Sequence, residues 1–225
     1  MVKPRDTATT SIRQTQILSA LFSPSFPIGA FAFSHGLEAA IEAGWVVDVH
    51  TAENWIRSCL LSGSGRNDAL IFAHAWRATA DRVQVLNDLA FALCSSAERA
   101  QEMRELGENF RRVTQQVYAV TFDAHGPASY PVITGLATRQ LDCELSESLV
   151  FFLQSFVGNL ISVAVRTVPI GQSDGQAILR RVMPDVERLA AETVDGSLDQ
   201  LGGHAFLADH AAMRHESMET RIYRT

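Results

Sequence analysis

The chain has 225 residues, of which 47% are hydrophobic and 20% charged, and its formal net charge is −6 at pH 7. This composition is ordinary for a soluble globular protein with a substantial core, and the negative charge argues against a general role in binding nucleic acid or anionic membranes. Lys3 is the only lysine beside eighteen arginines (19 basic residues less one), which excludes a Walker lysine, a Schiff-base lysine or a lysine general base outside the N-terminal residues.

Helical periodicity runs through almost the whole chain, and strand alternation is nearly absent. In the first half, one predicted helix ends at Pro24, and the next ones begin at Ser34, at Thr51, near Asn67, at Asp81 and at Ser95. After a break at residues 125–127, further helices are predicted from Pro131, from Ser146 and from Ser173, and Pro184 is expected to begin or kink the following helix. We therefore predict an all-α fold: a single-domain bundle of roughly ten helices over residues 1–225, with residues 204–225 as a loosely attached C-terminal tail.

Cysteine usage and hydropathy indicate the compartment. Cys59, Cys94 and Cys143 are widely spaced, odd in number and set in apolar stretches, which is typical of free thiols in a reducing cytosol. Residues 1–10 are polar, are expected to be disordered, and lack the apolar core of a signal peptide. The apolar residues 149–165 are interrupted by polar ones, which favours a buried central helix over a membrane span. We expect a cytoplasmic protein that does not bind membranes.

Residues 23–38 combine turn-forming residues with aromatic side chains. Prolines in this stretch restrict the backbone, Gly29 frees it again, and Ser34 is a candidate helix cap. The pattern predicts a rigid, aromatic loop that leads into a helix. We expect Phe33 and Leu37 to point inward, while Gly29, Phe31 and Glu38 help to form an interface.

The histidines do not form a recognisable metal site. None of the seven histidines forms a His-x-x-x-His pair, the spacing that places two rings on one helical face. His204, His210 and His215 cluster near the C-terminus, where a transient metal site is the weaker interpretation and scattered surface histidines the stronger one. No nucleophile–base pair and no phosphate-binding loop is present either, so no catalytic, cofactor-binding or metal residue is assigned, and the chain is not predicted to be an enzyme.

The last residues have a composition suited to protein recognition. Residues 213–225 mix arginine, methionine and tyrosine, which are enriched at protein interfaces. Two interpretations stay open: a frayed terminus, or a segment that becomes ordered when its arginines pair with carboxylates of a partner.

Three blocks, in order along the chain, resemble the family of urease accessory proteins UreF. The first is Phe-Pro-Ile-Gly-Ala-Phe at 26–31 followed by Ser34-x-Gly36-Leu37-Glu38; the others are residues 159–176 and residues 213–225. The resemblance implies an all-helical homodimer without catalytic activity. Such a protein would bridge the GTPase UreG and the scaffold UreD (UreH in some species) to apo-urease for nickel insertion. It implies no intrinsic cofactor, since nickel is handled by the assembled complex.

The resemblance also implies which residues bind partners. They come from all three blocks: Pro27, Gly29, Phe31, Ser34, Gly36, Glu38, Arg166, Gln172, Gln176, His215, Glu216, Arg221, Tyr223 and Arg224. The tail with Arg221 and Tyr223 would dock on UreD. Two departures from the family pattern stand out: Phe31 lacks the hydroxyl of the tyrosine that many members carry, and Ala100 replaces an arginine often found there. The alternatives are a GTPase-activating or fidelity-controlling partner of UreG, and a direct nickel carrier that uses the tail histidines.

Overall fold

A computed structural model describes residues 7–122 and 126–225. The described residues form ten α-helices and two short 3₁₀ turns, Ala30–Ala32 and Leu198–Gln200, and contain no strand. The α-helices are α1 (Thr7–Leu21), α2 (Leu37–Glu42), α3 (Val49–Ser62), α4 (Ser64–Arg77), α5 (Ala80–Ala92), α6 (Ala97–Tyr118), α7 (Tyr130–Gln140), α8 (Leu145–Thr167), α9 (Gln172–Val194) and α10 (Phe206–His215). The predicted all-α single-domain fold is confirmed.

The apolar helix α8 runs through the core and packs against α3, α4 and α9. Its side chains Leu149, Leu153 and Leu160 are fully buried. By length and composition alone α8 could also span a membrane, but half of its most apolar stretch is buried inside the protein. A core helix of a soluble protein has the same character, because it too is surrounded by apolar side chains.

Several helices begin at residues other than the predicted caps; α2, for example, follows Gly36 and not Ser34. Asp48, and not Thr51, caps α3: the Asp48 carboxylate accepts the N–H of Thr51 at 2.8 Å, and the Thr51 hydroxyl accepts the N–H of Asp48 at 3.0 Å. Ser96, and not Ser95, caps α6 by accepting the N–H of Arg99 at 3.0 Å. In α3 and α6 the capping residue lies before the predicted one or next to it, and it is the residue with extended backbone angles.

Pro184 does not begin a separate helix. Pro184 lies inside α9, which continues from Gln172 to Val194; the buried side chains of this helix pack on both sides of the proline and compensate for the missing hydrogen bond. At the start of α9, the Asp174 carboxylate accepts the N–H of Gly171 at 2.9 Å, so Ser173 is not the cap. Ser146 likewise lies within the first turn of α8 and does not cap it.

The two ends of the chain stand differently against expectation. Residues 1–6, which make up most of the predicted disordered N-terminus, and the predicted break residue His125 lie outside the described residues, and α1 begins at Thr7. The expectation of a loosely attached tail is wrong, because Tyr223 and Thr225 are only 4% and 3% exposed. The chain after α10 folds back onto the body of the protein, and we call residues 216–225 the C-terminal segment.

Candidate partner-binding site at the C-terminal segment

The three sequence blocks meet on one face of the protein. The Asn159 side chain on α8 donates a hydrogen bond to the carbonyl of Phe33 at 3.1 Å. The guanidinium carbon of Arg166, at the end of the same helix, lies 5.8 Å from the ring centroid of Tyr223, within the range of a cation–π contact. Residues from the first and second blocks thus frame the position of the C-terminal segment.

Glu38 is the centre of this arrangement. Its Oε1 accepts the N–H of Ile222 at 2.6 Å, and its Oε2 accepts the N–H of Tyr223 at 2.9 Å. The same Oε2 lies 3.0 Å from Nε2 of His215. Glu38 is only 9% exposed, so it presents little surface to a partner. It holds the C-terminal segment from inside.

His215 joins two helices to the C-terminal segment. Its ring is fully buried, and its Nδ1 lies 2.6 Å from Oε2 of Glu98 on α6 while its Nε2 faces Glu38 on α2. Each ring nitrogen therefore faces a carboxylate oxygen, and a ring that carries a proton on both nitrogens donates to both. The expectation of a surface histidine is wrong at this position, because the last turn of α10 packs directly against α2.

Charged pairs fasten the C-terminal segment along α6. Arg221 pairs with Glu98, and Arg224 makes a two-pronged contact with Glu105 at 2.6 and 2.7 Å. The carboxylate of Glu216 accepts the N–H of the first residue of α6 at 2.7 Å, a position where the positive end of the helix favours negative charge. The segment is thus held by its own arginines and by one carboxylate at the helix start.

A buried charge cluster lies below the end of the segment. Fully buried Glu102 has one carboxylate oxygen 2.9 Å from Nε2 of His35 and the other 3.4 Å from the hydroxyl of Thr225 and 3.7 Å from the Arg99 guanidinium. Burial opposes the ionisation of Glu102, but the charges of His35 and Arg99 outweigh it and hold the pKa below its ordinary value. Burial raises the pKa of Asp68, against the attraction of Arg99 2.6 Å away.

A cavity of about 140 Å³ adjoins this cluster and is lined in part by His35, Asp68, Arg99 and the thiols Cys59 and Cys94. Burial raises the pKa of Cys59 to about 12 and that of Cys94 to about 11. Thiols with such pKa values are protonated at neutral pH, and the thiolate is the form that attacks or binds metal. The cavity therefore does not have the chemistry of a nucleophilic centre.

The structure does not bring the three tail histidines together. His204 is exposed, His210 stacks on Trp45 with ring centroids 6.0 Å apart, and His215 is buried between two carboxylates. Within residues 7–122 and 126–225, no group of three or more histidine, cysteine, aspartate or glutamate side chains is arranged to hold a metal ion.

The predicted partner-binding residues divide by exposure. The exposed ones are Pro27, Phe31, Arg166, Gln172, Gln176, Glu216, Arg221 and Arg224; the buried ones are Ser34, Gly36, Glu38, His215 and Tyr223; Gly29 is half-buried. Glu38 and Ser34 of the buried set hold the C-terminal segment directly: the N–H of Ser34 donates to the carbonyl of Thr225 at 3.0 Å. Gln172 and Gln176 lie on the exposed start of α9 and make none of the hydrogen bonds described for the segment.

Sequence reasoning missed the carboxylates of α6 that receive the segment. Glu98, Glu102 and Glu105 are spaced by four and three residues, which places them on one face of a helix. That spacing was the available signal, but carboxylates at helical spacing are also common on solvated faces. Only the position of the C-terminal segment distinguishes the two cases.

Two large apolar side chains stay exposed beside the held segment. Phe31 is 67% exposed and Ile222 is 76% exposed. The carbonyl of Ala32, next to Phe31, accepts the N–H of Arg224 at 2.9 Å, so the chain at Phe31 lies against the C-terminal segment that carries Ile222. Exposed apolar groups rimmed by polar residues are typical of protein interaction sites.

Comparison with known proteins identifies relatives along nearly the whole chain. The family model UreF matches residues 46–183. A urease accessory protein UreF from Ruegeria pomeroyi is 42% identical over 219 residues, which is 97% of this chain and all of that protein. One from Cereibacter sphaeroides is 45% identical over 203 residues, 90% of this chain and 94% of the relative. One from Rhodopseudomonas palustris is 37% identical over 234 residues, 98% of this chain and 97% of the relative.

Proposed function

Because the chain belongs to the UreF family of urease accessory proteins, we propose that it is the adaptor that bridges the GTPase UreG and the scaffold UreD (UreH) to apo-urease for nickel insertion. Family membership makes the chain an accessory protein of urease maturation and not an enzyme. The proposed adaptor works in the cytoplasm as a homodimer. It has no cofactor of its own, and nickel is handled by the assembled complex.

The observation that carries the proposal is the surface around the C-terminal segment. Phe31 and Ile222 expose most of their apolar area on this surface, with the part-exposed guanidinium groups of Arg221 and Arg224 beside them. Aromatic residues and arginine are the types that contribute most binding energy in protein interfaces. We assign this surface to the scaffold UreD.

The body of the protein positions this surface before any partner binds. Glu38, Glu98 and Glu105 fix the main chain and both arginines of the segment. A partner that binds a preordered segment does not have to supply the free energy of ordering it. The buried residues of the three blocks thus support recognition without contacting the partner.

Capture of purified UreD by the immobilised full chain tests the assignment. The variant Phe31→Ser with Ile222→Ser is expected to bind UreD at least tenfold more weakly than the natural chain, because it removes the apolar contacts and leaves the fold intact. Val85→Ser on α5 is the matched control, since Val85 is also exposed and lies outside the site. Unchanged affinity of the double variant contradicts the assignment.

Gel filtration tests the bridging role separately. The natural chain, UreD and UreG are expected to elute together, and each partner is expected to leave the complex when this chain is omitted. A complex of UreD and UreG that forms equally well without the chain contradicts the adaptor role. No described contact favours the alternatives, because the tail histidines do not converge and both arginines of the segment are already paired.

A further inference from the structure

The C-terminal segment is held in a way that would suit a separate peptide ligand. Much of the attachment is to main-chain groups: Glu38 accepts two successive N–H groups of Arg221–Thr225, the carbonyl of Ala32 accepts a third, and the N–H of Ser34 donates to the last carbonyl. Main-chain contacts of this kind do not depend on side-chain identity. They fix the path of a non-helical segment, as in other modes of peptide recognition.

Two side-chain contacts add specificity along α6. Arg221 pairs with Glu98, and Arg224 pairs with both carboxylate oxygens of Glu105. The two glutamates are seven positions apart on the α-helix, a rise of about 10.5 Å. The three steps from Arg221 to Arg224 span at most about 10–11 Å of non-helical chain. Residues 222 and 223 lie in a bend, so the chain spans less than this maximum. The two arginine side chains still reach the two glutamates, so a pair of arginines three positions apart fits this face of α6.

Of the two residues between the arginines, one is buried in the groove and the other is exposed to solvent. Tyr223 is buried, with the guanidinium group of Arg166 near its ring. Ile222, its neighbour, points to solvent. The groove therefore takes an aromatic residue directly before the second arginine and leaves the residue before that unrestricted.

We propose that the groove formed by residues 32–34, α2 and the first half of α6 is a peptide-recognition site for non-helical protein segments of the pattern Arg-x-aromatic-Arg. The chain's own C-terminal segment occupies this site in cis. A segment of the same pattern supplied in trans replaces it. This inference concerns the groove beneath the segment and does not depend on which protein binds the outer surface.

Occupancy in cis makes the site hard to detect in the natural chain. A tethered ligand has an effective concentration in the millimolar range, so a free peptide must compete with it. The site becomes measurable when the tethered arginines are removed. The full chain with Arg221→Gln and Arg224→Gln keeps its length and its main-chain contacts but lacks both charged pairs.

The probe is a fluorescent synthetic peptide of residues 218–225, and binding is followed by anisotropy. We expect it to bind the double variant at least tenfold more tightly than the natural chain. A matched peptide with both arginines replaced by glutamine is expected to bind the double variant at least tenfold more weakly than the arginine peptide. Adding Glu98→Gln and Glu105→Gln to the protein should remove this preference, whereas Glu192→Gln on α9 should not.

A second measurement uses the natural chain alone. Excess unlabelled arginine peptide is expected to speed amide hydrogen exchange at Ile222 and Tyr223, because their N–H groups lose Glu38 when the segment is displaced; the glutamine peptide should leave both rates unchanged. Equal binding of the two peptides to the double variant, or no acceleration of exchange by the arginine peptide, overturns the proposal. Thermal melting confirms that the variants compared are folded.

Discussion

Glu38 and His215, separated by 177 positions in the chain, meet in a buried contact of 3.0 Å between Oε2 and Nε2. The same glutamate accepts the N–H groups of Ile222 and Tyr223. One carboxylate thus connects α2, α10 and the C-terminal segment, and the attachment of the segment depends on it.

Glu38→Ala is expected to lower the free energy of unfolding by about 2–4 kcal/mol, because it leaves the buried N–H groups of Ile222 and Tyr223 without their acceptor and removes the carboxylate that faces His215. Chemical denaturation measures the loss. Glu42→Ala on the exposed side of α2 is the control, and its effect should stay within about 0.5 kcal/mol. A Glu38 variant as stable as the control contradicts the role assigned to this carboxylate.

Gly36→Ala is expected to destabilise the protein far more than Gly29→Ala. Both glycines have positive φ, 74° and 84°, so alanine strains the backbone at both positions by about 1–2 kcal/mol. At Gly36 the new Cβ would also lie 2.7 Å from the backbone nitrogen of Ala212 and push α2 away from α10, whereas at Gly29 no atom lies within 4 Å. Melting temperatures measure the difference, and equal values for the two variants would exclude close α2–α10 packing.

Glu102 is expected to make the protein sensitive to acid. Burial opposes its ionisation, but the attraction of the positive charges on His35 and Arg99 is stronger. The pKa of Glu102 in the folded state is therefore lower than the ordinary 4.5. The stabilisation is therefore present above about pH 4.5 and is lost as the pH falls through the folded-state pKa. The raised pKa of Asp68 acts in the opposite direction, since its protonation in acid relieves a cost of burial.

Denaturation curves from pH 3 to pH 7 separate the two carboxyl groups. Glu102→Gln should be less stable than the natural chain at pH 7, and the gap should narrow as the pH falls. Asp68→Asn should not reproduce this narrowing. A gap between Glu102→Gln and the natural chain that stays constant with pH contradicts the lowered pKa of Glu102.

The three thiols are expected to react slowly. Burial raises the pKa of Cys59 to about 12 and the pKa values of Cys94 and Cys143 to about 11. At pH 8 the ionised fraction is then about 0.1% or less, and the thiolate is the reactive form. Iodoacetamide labelling followed by mass spectrometry should be at least a hundredfold slower in the folded chain than in urea. Rapid labelling of half-buried Cys94 in the folded chain would contradict this.

Local patterns in the sequence account for the fold class. The three-to-four residue spacing of apolar side chains predicts helices without knowledge of their neighbours, because it reflects only the geometry of a single helix. Residue type alone does not identify the cap of α6, because Ser95 and Ser96 are both suitable residues. Ser96 is the cap because its backbone is extended, and the sequence pattern does not give backbone angles. The local pattern also predicts a helix start or a kink at Pro184. Packing of α9 on the core overrides this local preference, and the helix continues through the proline.

The candidate site could be predicted only in part. The structure brings parts of the three blocks together, and Phe31 is exposed while Phe33 and Leu37 are buried, as expected. The sequence could not assign Glu38 to the interior, or assign carboxylates of α6 such as Glu98 and Glu105 to the arginines of the C-terminal segment. Each of these pairings joins residues more than a hundred positions apart.

By itself, then, the sequence determined that this protein is all-helical, lacks a recognisable catalytic arrangement and resembles one accessory family, because these properties follow from local spacing and residue type. The tertiary structure alone decided that the C-terminal segment is held and not frayed. Whether a glutamate is solvated or buried against two backbone N–H groups depends on which distant residues the fold brings to it, and Glu38 and His215 meet only after α2, α6 and α10 have packed together.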